Sequence, residues 1–287
     1  MSNELALIQQ RYAEIPKTKE AKLPNPYFSK LRVNVVKGVG KTPTTGRLVL
    51  GLQDGSVVFF DKPVNVILTT IQTQFRRGFK GKDKFENVSK SVILPQFSKG
   101  PYISTDGGIK CSQIPTTYET ATKTKLHQGT TTPLSAEELA LNGQVSYTLY
   151  PFGVLDISQG TLEDGTTPEV GTFVPCLLHV SKGILNSVQN GFKEVYKEYD
   201  RVLDAILTVG VGKLHKVGTT EFFEYTLTNG GAAPQIAAVA DAYFGIKEYI
   251  TQENDYIIKA HAKASQGEVV ESTDYDIDGE AVEETEE

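Results

Sequence analysis

Apolar positions in the first third of the chain come in short β-branched runs broken by Gly, Pro, Asp and Asn: Leu31–Lys37, Arg47–Leu52, Ser56–Asp61 and Val64–Ile71. Runs of this length and composition predict strands. Gln53-Asp54-Gly55 supplies a hairpin turn, and Lys62-Pro63 puts a proline at a strand start, where its missing N–H is tolerated. Further strands are predicted at Val145–Phe152, Val154–Ile157, Val174–Val180, Ala205–Val211 and Glu221–Thr228. The period changes to three and four between Ser187 and Leu203, where Val188, Phe192, Val195, Tyr196, Tyr199, Val202 and Leu203 line one helical stripe behind an Asn186 or Ser187 cap. A second helix follows Pro234 on Ile236, Val239, Ala240, Tyr243 and Ile250, reaching about Ala264 with interruptions expected near Gly245 and Asn254. Leu5, Leu7 and Ile8 suit a short docking helix at the start of the chain.

Two stretches show neither period. Thr105–Thr132 is crowded with Thr, Gly, Lys and Gln, and Gln159–Thr172 carries Gly160, Gly165, Pro168 and Gly171. Both read as loops, the first long enough to be either a binding arm or a decoration. From Val145 onward the order is three strands, a helix and two strands, which is the order of an OB-fold, a small Greek-key barrel whose open face binds oligonucleotides. The expected class is therefore mainly β with a few helices (β + α): an OB-fold-like Greek-key barrel with extra N-terminal strands and a C-terminal helix. The expected parts are an N-terminal arm over 1–28, a binding body over 29–234 with long loops at 105–132 and 159–172, a helical segment over 235–266, and a disordered acidic tail over 267–287.

Charge changes this picture. The formal charge of −6 averages two regions of opposite sign. Ten of the twenty residues from Glu268 to Glu287 are Asp or Glu and none is Lys or Arg, which leaves 29 basic against 25 acidic residues in the rest and a body charge of +4. Such asymmetry points toward nucleic acid, with a merely solubilising tail as the alternative. Cys111 and Cys176 lie far apart, with neither a zinc spacing nor a disulfide framework. No apolar run approaches the roughly 18 residues of a spanning helix, and Met1–Arg11 lacks the pattern of a signal peptide. A soluble protein of the cytoplasm, with no membrane partner, is the expectation.

Motifs for chemistry fail one by one. Gly38-Val39-Gly40-Lys41-Thr42 follows a strand, but a phosphate loop needs glycine where Val35 stands and a helix where Pro43-Thr44-Thr45-Gly46 stands. Gly210-Val211-Gly212-Lys213 lacks the third glycine of a dinucleotide fingerprint. His127, His179, His215 and His261 are isolated from one another, so no metal site, catalytic residue or cofactor is expected.

The sharpest feature is Gln74–Phe85, where five cations, one anion and three phenylalanines share twelve residues. Cations that track phosphates and flat rings that stack on unpaired bases are how single strands are held, each stack worth about 1–3 kcal/mol. Phe75, Arg76, Arg77, Phe79, Lys80, Lys82, Lys84 and Phe85 are the candidates, and Gly78 and Gly81 suit a flexible loop closing over a strand. A hairpin tip with its phenylalanines in the core is the alternative. Lys90, Lys99, Tyr102, Lys110, Lys123 and Lys125 extend the same basic surface. The tail is expected to occupy that surface when nucleic acid is absent and to dock on partner proteins when displaced, through Asp274, Tyr275, Asp276, Ile277, Asp278, Glu283, Glu284, Glu286 and Glu287.

With a β-rich body, a basic aromatic segment, a helix between strands and the Glu268–Glu287 tail, the chain resembles the single-stranded-DNA-binding replication proteins of bacteriophages. The resemblance implies an OB-fold, sequence-tolerant coating of single-stranded DNA in replication, recombination and repair, and contact with a replicative polymerase or helicase through the tail, in the host cytoplasm. Many such tails end in phenylalanine. This one ends Glu284-Thr285-Glu286-Glu287, so Tyr275 and Ile277 would have to substitute. The alternatives are a non-catalytic phage structural or assembly protein, and an enzyme of nucleic-acid metabolism with a scattered site. Homo-oligomerisation is left open.

Overall fold

A computed structural model describes residues 28–33, 45–80, 85–96, 98, 103–105, 107, 116–217 and 220–266. The N-terminal helix, the Gly38–Thr42 stretch, Lys82, Lys84, Lys99, Tyr102, Lys110 and the tail lie outside the described residues.

One long strand organises the rest. Strand β4 (Val64–Lys80) runs seventeen residues, because β-branched and polar residues alternate through it without a proline to end it. Along one edge it pairs with β9 (Val145–Asp156), from Val66 opposite Leu155 to Arg77 opposite Val145. Along its other edge it takes three partners in turn: β12 (Ala205–Val217), β6 (Leu94–Pro95) and β5 (Phe85–Lys90). Where β4 and β9 slip register between Leu68 and Thr70, the backbones approach too closely for a side chain, and a Cβ on Gly153 would lie 2.8 Å from the Ile67 carbonyl oxygen. Gly153 keeps β9 in the ladder, so the two strands expected at Val145–Phe152 and Val154–Ile157 are one.

The sheet continues past β9 to β11 (Phe173–Leu178), β1 (Ser29–Val33), β2 (Leu48–Gly51), β3 (Val57–Phe60) and β10 (Thr161–Leu162), and past β12 to β13 (Thr220–Ala232). Gln53-Asp54-Gly55 makes the expected turn, with Gly55 at φ +85° and the Asp54 carboxylate accepting from both the amide and the hydroxyl of Ser56. β10 lies inside the Gln159–Thr172 stretch and covers part of the β3 edge, with Thr161 opposite Phe59.

Period-two alternation sorts the sheet into two apolar faces. Leu31, Leu50, Val58, Phe60, Leu68, Leu155, Leu178 and Leu207 face helix α2 (Leu185–Tyr196), whose Val188, Phe192 and Val195 fill the hollow. Each such side chain is worth roughly 1.5–3 kcal/mol when buried. Ile67, Phe152, Val154 and Leu177 face helix α3 (Ala237–Ser265) through Val239, Ala242, Ile246 and Tyr249. The sheet curls around the first core until the Tyr225 hydroxyl on β13 donates to the His179 carbonyl beyond β11, at 2.8 Å, and burial moves that phenol's pKa upward. The class is thus mainly β with a few helices, and the curled sheet stays open, without closing into a barrel.

Three local readings change. Helix α2 stops at Tyr196, with a turn from Tyr199 N–H to the Tyr196 carbonyl and a short 3-10 segment at Val202–Asp204 taking up the rest of the expected stripe. Helix α3 is unbroken through Gly245 and Asn254. Asn254 instead turns its side-chain amide onto the Ile93 backbone, accepting from the N–H at 2.6 Å and donating to the carbonyl at 2.8 Å. The Thr105–Thr132 stretch contains a two-stranded ribbon, β7 (Thr116–Glu119) with β8 (Thr124–His127), and leads into helix α1 (Ala136–Gln144). Ser135-Ala136-Glu137-Glu138 makes a capping box there: Ser135 Oγ accepts from Glu138 N–H and the Glu138 carboxylate from Ser135 N–H. That backbone bond holds the Glu138 carboxyl below the ordinary glutamate pKa. Among the described residues, no helix is long and apolar enough to cross a membrane and no group of His, Cys, Asp or Glu could hold a metal ion.

Candidate nucleic-acid interface

Gln74–Lys80 forms the outer half of β4, not a loop, and the pleat divides its cations between two faces. Gln72, Gln74 and Arg76 point to the α3 side. Gln74 is 1% exposed and fully engaged: its Nε2 donates to the Ser91 carbonyl at 2.8 Å, and its Oε1 accepts from Arg76 Nε and from the Tyr150 hydroxyl, both at 3.2 Å. Arg76 is 6% exposed with its guanidinium 5.9 Å from the centre of the Tyr150 ring. Its expected place on an exposed loop is therefore corrected, since it lies within β4 and is buried in the polar network with Gln74 and Tyr150. Lys90 lies opposite Arg76 and is likewise held, its ammonium 2.7 Å from the Glu253 carboxylate and 5.5 Å from the centre of the Tyr256 ring. Lys90 thereby fastens the outer sheet to α3.

The opposite face carries Thr73, Phe75 and Arg77. Phe75 meets Tyr147 of β9 edge-to-face, ring centres 5.3 Å apart and planes at 66°, with both rings half-buried. Arg77 is half-buried beside them, and its Nε donates to Gln144 Oε1 at the end of α1, at 3.3 Å. That bond aims the planar guanidinium, which is built for paired contacts with phosphate oxygens. Two rings and one oriented cation therefore share a single surface of the sheet.

The backbones of Phe79, Lys80 and Phe85 continue this hairpin, with Lys80 opposite Phe85, while their side chains lie outside the described residues. Lys123 and Lys125 stand on the ribbon, away from β4 in the chain but tied to α1 by His127 Nε2, 3.3 Å from Glu138 Oε2. Lys123 holds φ +54°, a left-handed backbone that costs a residue with a Cβ roughly 1–2 kcal/mol. Sequence reasoning missed Tyr147, Gln144 and Tyr118. Tyr147 was visible as the alternate position of a predicted strand, whereas nothing in the chain pattern marks Gln144 as a neighbour of Arg77.

No family model matches this sequence, and neither the curated proteins nor the solved structures yield a match.

Proposed function

We propose that the chain binds single-stranded DNA, without strict sequence requirement, at the outer end of β4 and β9 on the face opposite α3, and that it serves DNA replication or recombination of the phage type. The observation that carries this reading is the shared surface of Phe75, Tyr147 and Arg77. Half-buried rings at a sheet surface offer stacking area at low entropic cost, and a guanidinium held beside them supplies the counter-charge for a phosphate one nucleotide away. The excess of cations over acids outside Glu268–Glu287 favours the same ligand, and the acids within it favour competition for the same surface and docking on a basic partner such as a replicative polymerase or helicase.

Anisotropy of a labelled oligo-dT, titrated with protein at several salt concentrations, tests it. Log affinity should fall with log salt at a slope of about −0.7 per phosphate neutralised, and removing residues 268–287 should tighten binding. Absence of salt-dependent binding in both forms would remove the reading and leave assembly or structural roles to be examined through self-association.

A further inference from the structure

All four residues of β7 are exposed, and the pleat of the β7–β8 ribbon sorts its side chains. Thr117 pairs with Leu126 and Glu119 with Thr124 on one face, and Leu126 is buried, so this face is the one turned to the body. The Glu119 carboxylate belongs to that face and accepts from the Thr122 hydroxyl at 2.6 Å. Thr116 pairs with His127 and Tyr118 with Lys125 on the other face, whose His127 end meets Glu138 of α1 while its Tyr118–Lys125 end is open to solvent. Tyr118 is 58% exposed, the most open aromatic ring among the described residues, directly across from an exposed lysine. At the tip Lys123 occupies a backbone conformation that glycine would adopt without cost.

These features do not serve folding. An exposed phenol contributes little to a core, and a lysine in a left-handed turn spends stability on a charge at the apex. Together they make a projecting blade with a ring, a cation beside it and a second cation at its end, and with its carboxylate turned to the other face. We propose that this ribbon is a second contact for single-stranded DNA, in which Tyr118 stacks on a base while Lys125 and Lys123 meet the flanking phosphates. The proposal rests on the function inferred above and extends it, since Tyr118 adds an anchor separate from Phe75 and Tyr147. One strand of DNA would then span from the β4 surface past α1, which joins the two sites through Arg77–Gln144 and His127–Glu138.

The chain contains no tryptophan, so Tyr118→Trp places a single indole at the blade of the full-length protein. Its emission should be quenched when oligo-dT saturates the protein, and should stay unquenched when an abasic oligomer of equal length is bound at low salt. Tyr118→Ala should weaken oligo-dT binding roughly 5- to 100-fold with an unchanged salt slope, and Tyr118→Phe should restore it. Lys125→Gln should reduce the slope by about 0.7. Lys123→Gly should raise the melting temperature while flattening the slope, a pair of opposite effects that a structural role alone does not produce. Oligo-dT that binds tightly while the indole emission of Tyr118→Trp and the affinity of Tyr118→Ala both stay at their starting values would overturn the ribbon contact and leave the β4 surface standing. Failure of the unaltered protein to bind oligo-dT would instead remove the parent reading.

Discussion

Strand β4 passes through two regions built on different physics. Its inner half, Val64–Ile71, lies between two apolar cores, and its buried side chains are almost all hydrocarbon. Its outer half buries Gln72, Thr73, Gln74 and Arg76, which are held by directed hydrogen bonds to Thr70, Leu94, Ser91, Tyr150 and one another. Hydrophobic burial is non-directional and tolerates some repacking, whereas a buried polar network fixes one arrangement and is costly when a single member is lost. The inner region therefore secures the fold, and the outer region secures the geometry of a surface. Phe75 and Arg77 are oriented because their neighbours in sequence, Gln74 and Arg76, are locked on the reverse side of the same strand.

The largest expected effect lies in the inner region. Phe152 is fully buried against Phe28 and α3, so Phe152→Ala should cost about 3–5 kcal/mol in denaturant unfolding, with oligonucleotide affinity of the folded fraction unchanged. In the outer region Gln74→Ala strands the Ser91 carbonyl, the Tyr150 hydroxyl and Arg76 Nε without that partner. It should cost roughly 1–3 kcal/mol and, unlike Phe152→Ala, weaken oligo-dT binding as the β4 surface loosens. If the two variants affected binding equally, the division between regions would be lost.

A smaller effect tests the support beneath Arg77. Ser135→Ala removes half of the α1 capping box and should cost about 1 kcal/mol, read as faster exchange of the Leu139 amide, which donates to the Ser135 carbonyl. Acid should act at the same point. The folded state holds Glu138 below its ordinary value of 4.5, chiefly through the Ser135 N–H, so this contribution is complete above that value and is lost as pH falls through and below it. Protection factors of the α1 amides, taken relative to intrinsic exchange at each pH, should fall over that acid range in the parent protein and respond less in Glu138→Gln.

Legibility in the sequence followed the same division. Strands buried on both faces read as apolar runs, and Leu48–Gly51, Val57–Phe60 and Phe173–Leu178 lie where such runs were expected. The α2 stripe was legible because Val188, Phe192 and Val195 have only one side to bury. The outer half of β4 was not, since Phe75–Lys80 reads locally as a basic glycine-containing loop and becomes a strand through pairing with β5 and with β9, whose Ser146 lies 70 positions from Arg76. Helix α1 buries none of its residues, so its only local mark was the capping box. Asn254 looked like a helix interruption because its role depends on the Ile93 backbone, 161 positions distant. Arg77 and Phe75 were singled out by residue type, yet which neighbours they face was set by the pleat and by Gln144.

The most direct measurement is the salt dependence of oligo-dT affinity in four proteins: the parent, Arg77→Ala, Phe75→Ala and Lys247→Ala, the last an exposed cation on α3 far in the chain from the β4 surface. A nucleic-acid surface on β4 predicts a slope about 0.7 shallower for Arg77→Ala, a loss of roughly 1–3 kcal/mol at unchanged slope for Phe75→Ala, and parent behaviour for Lys247→Ala. Identical slopes and affinities for Arg77→Ala, Phe75→Ala and the parent would contradict it.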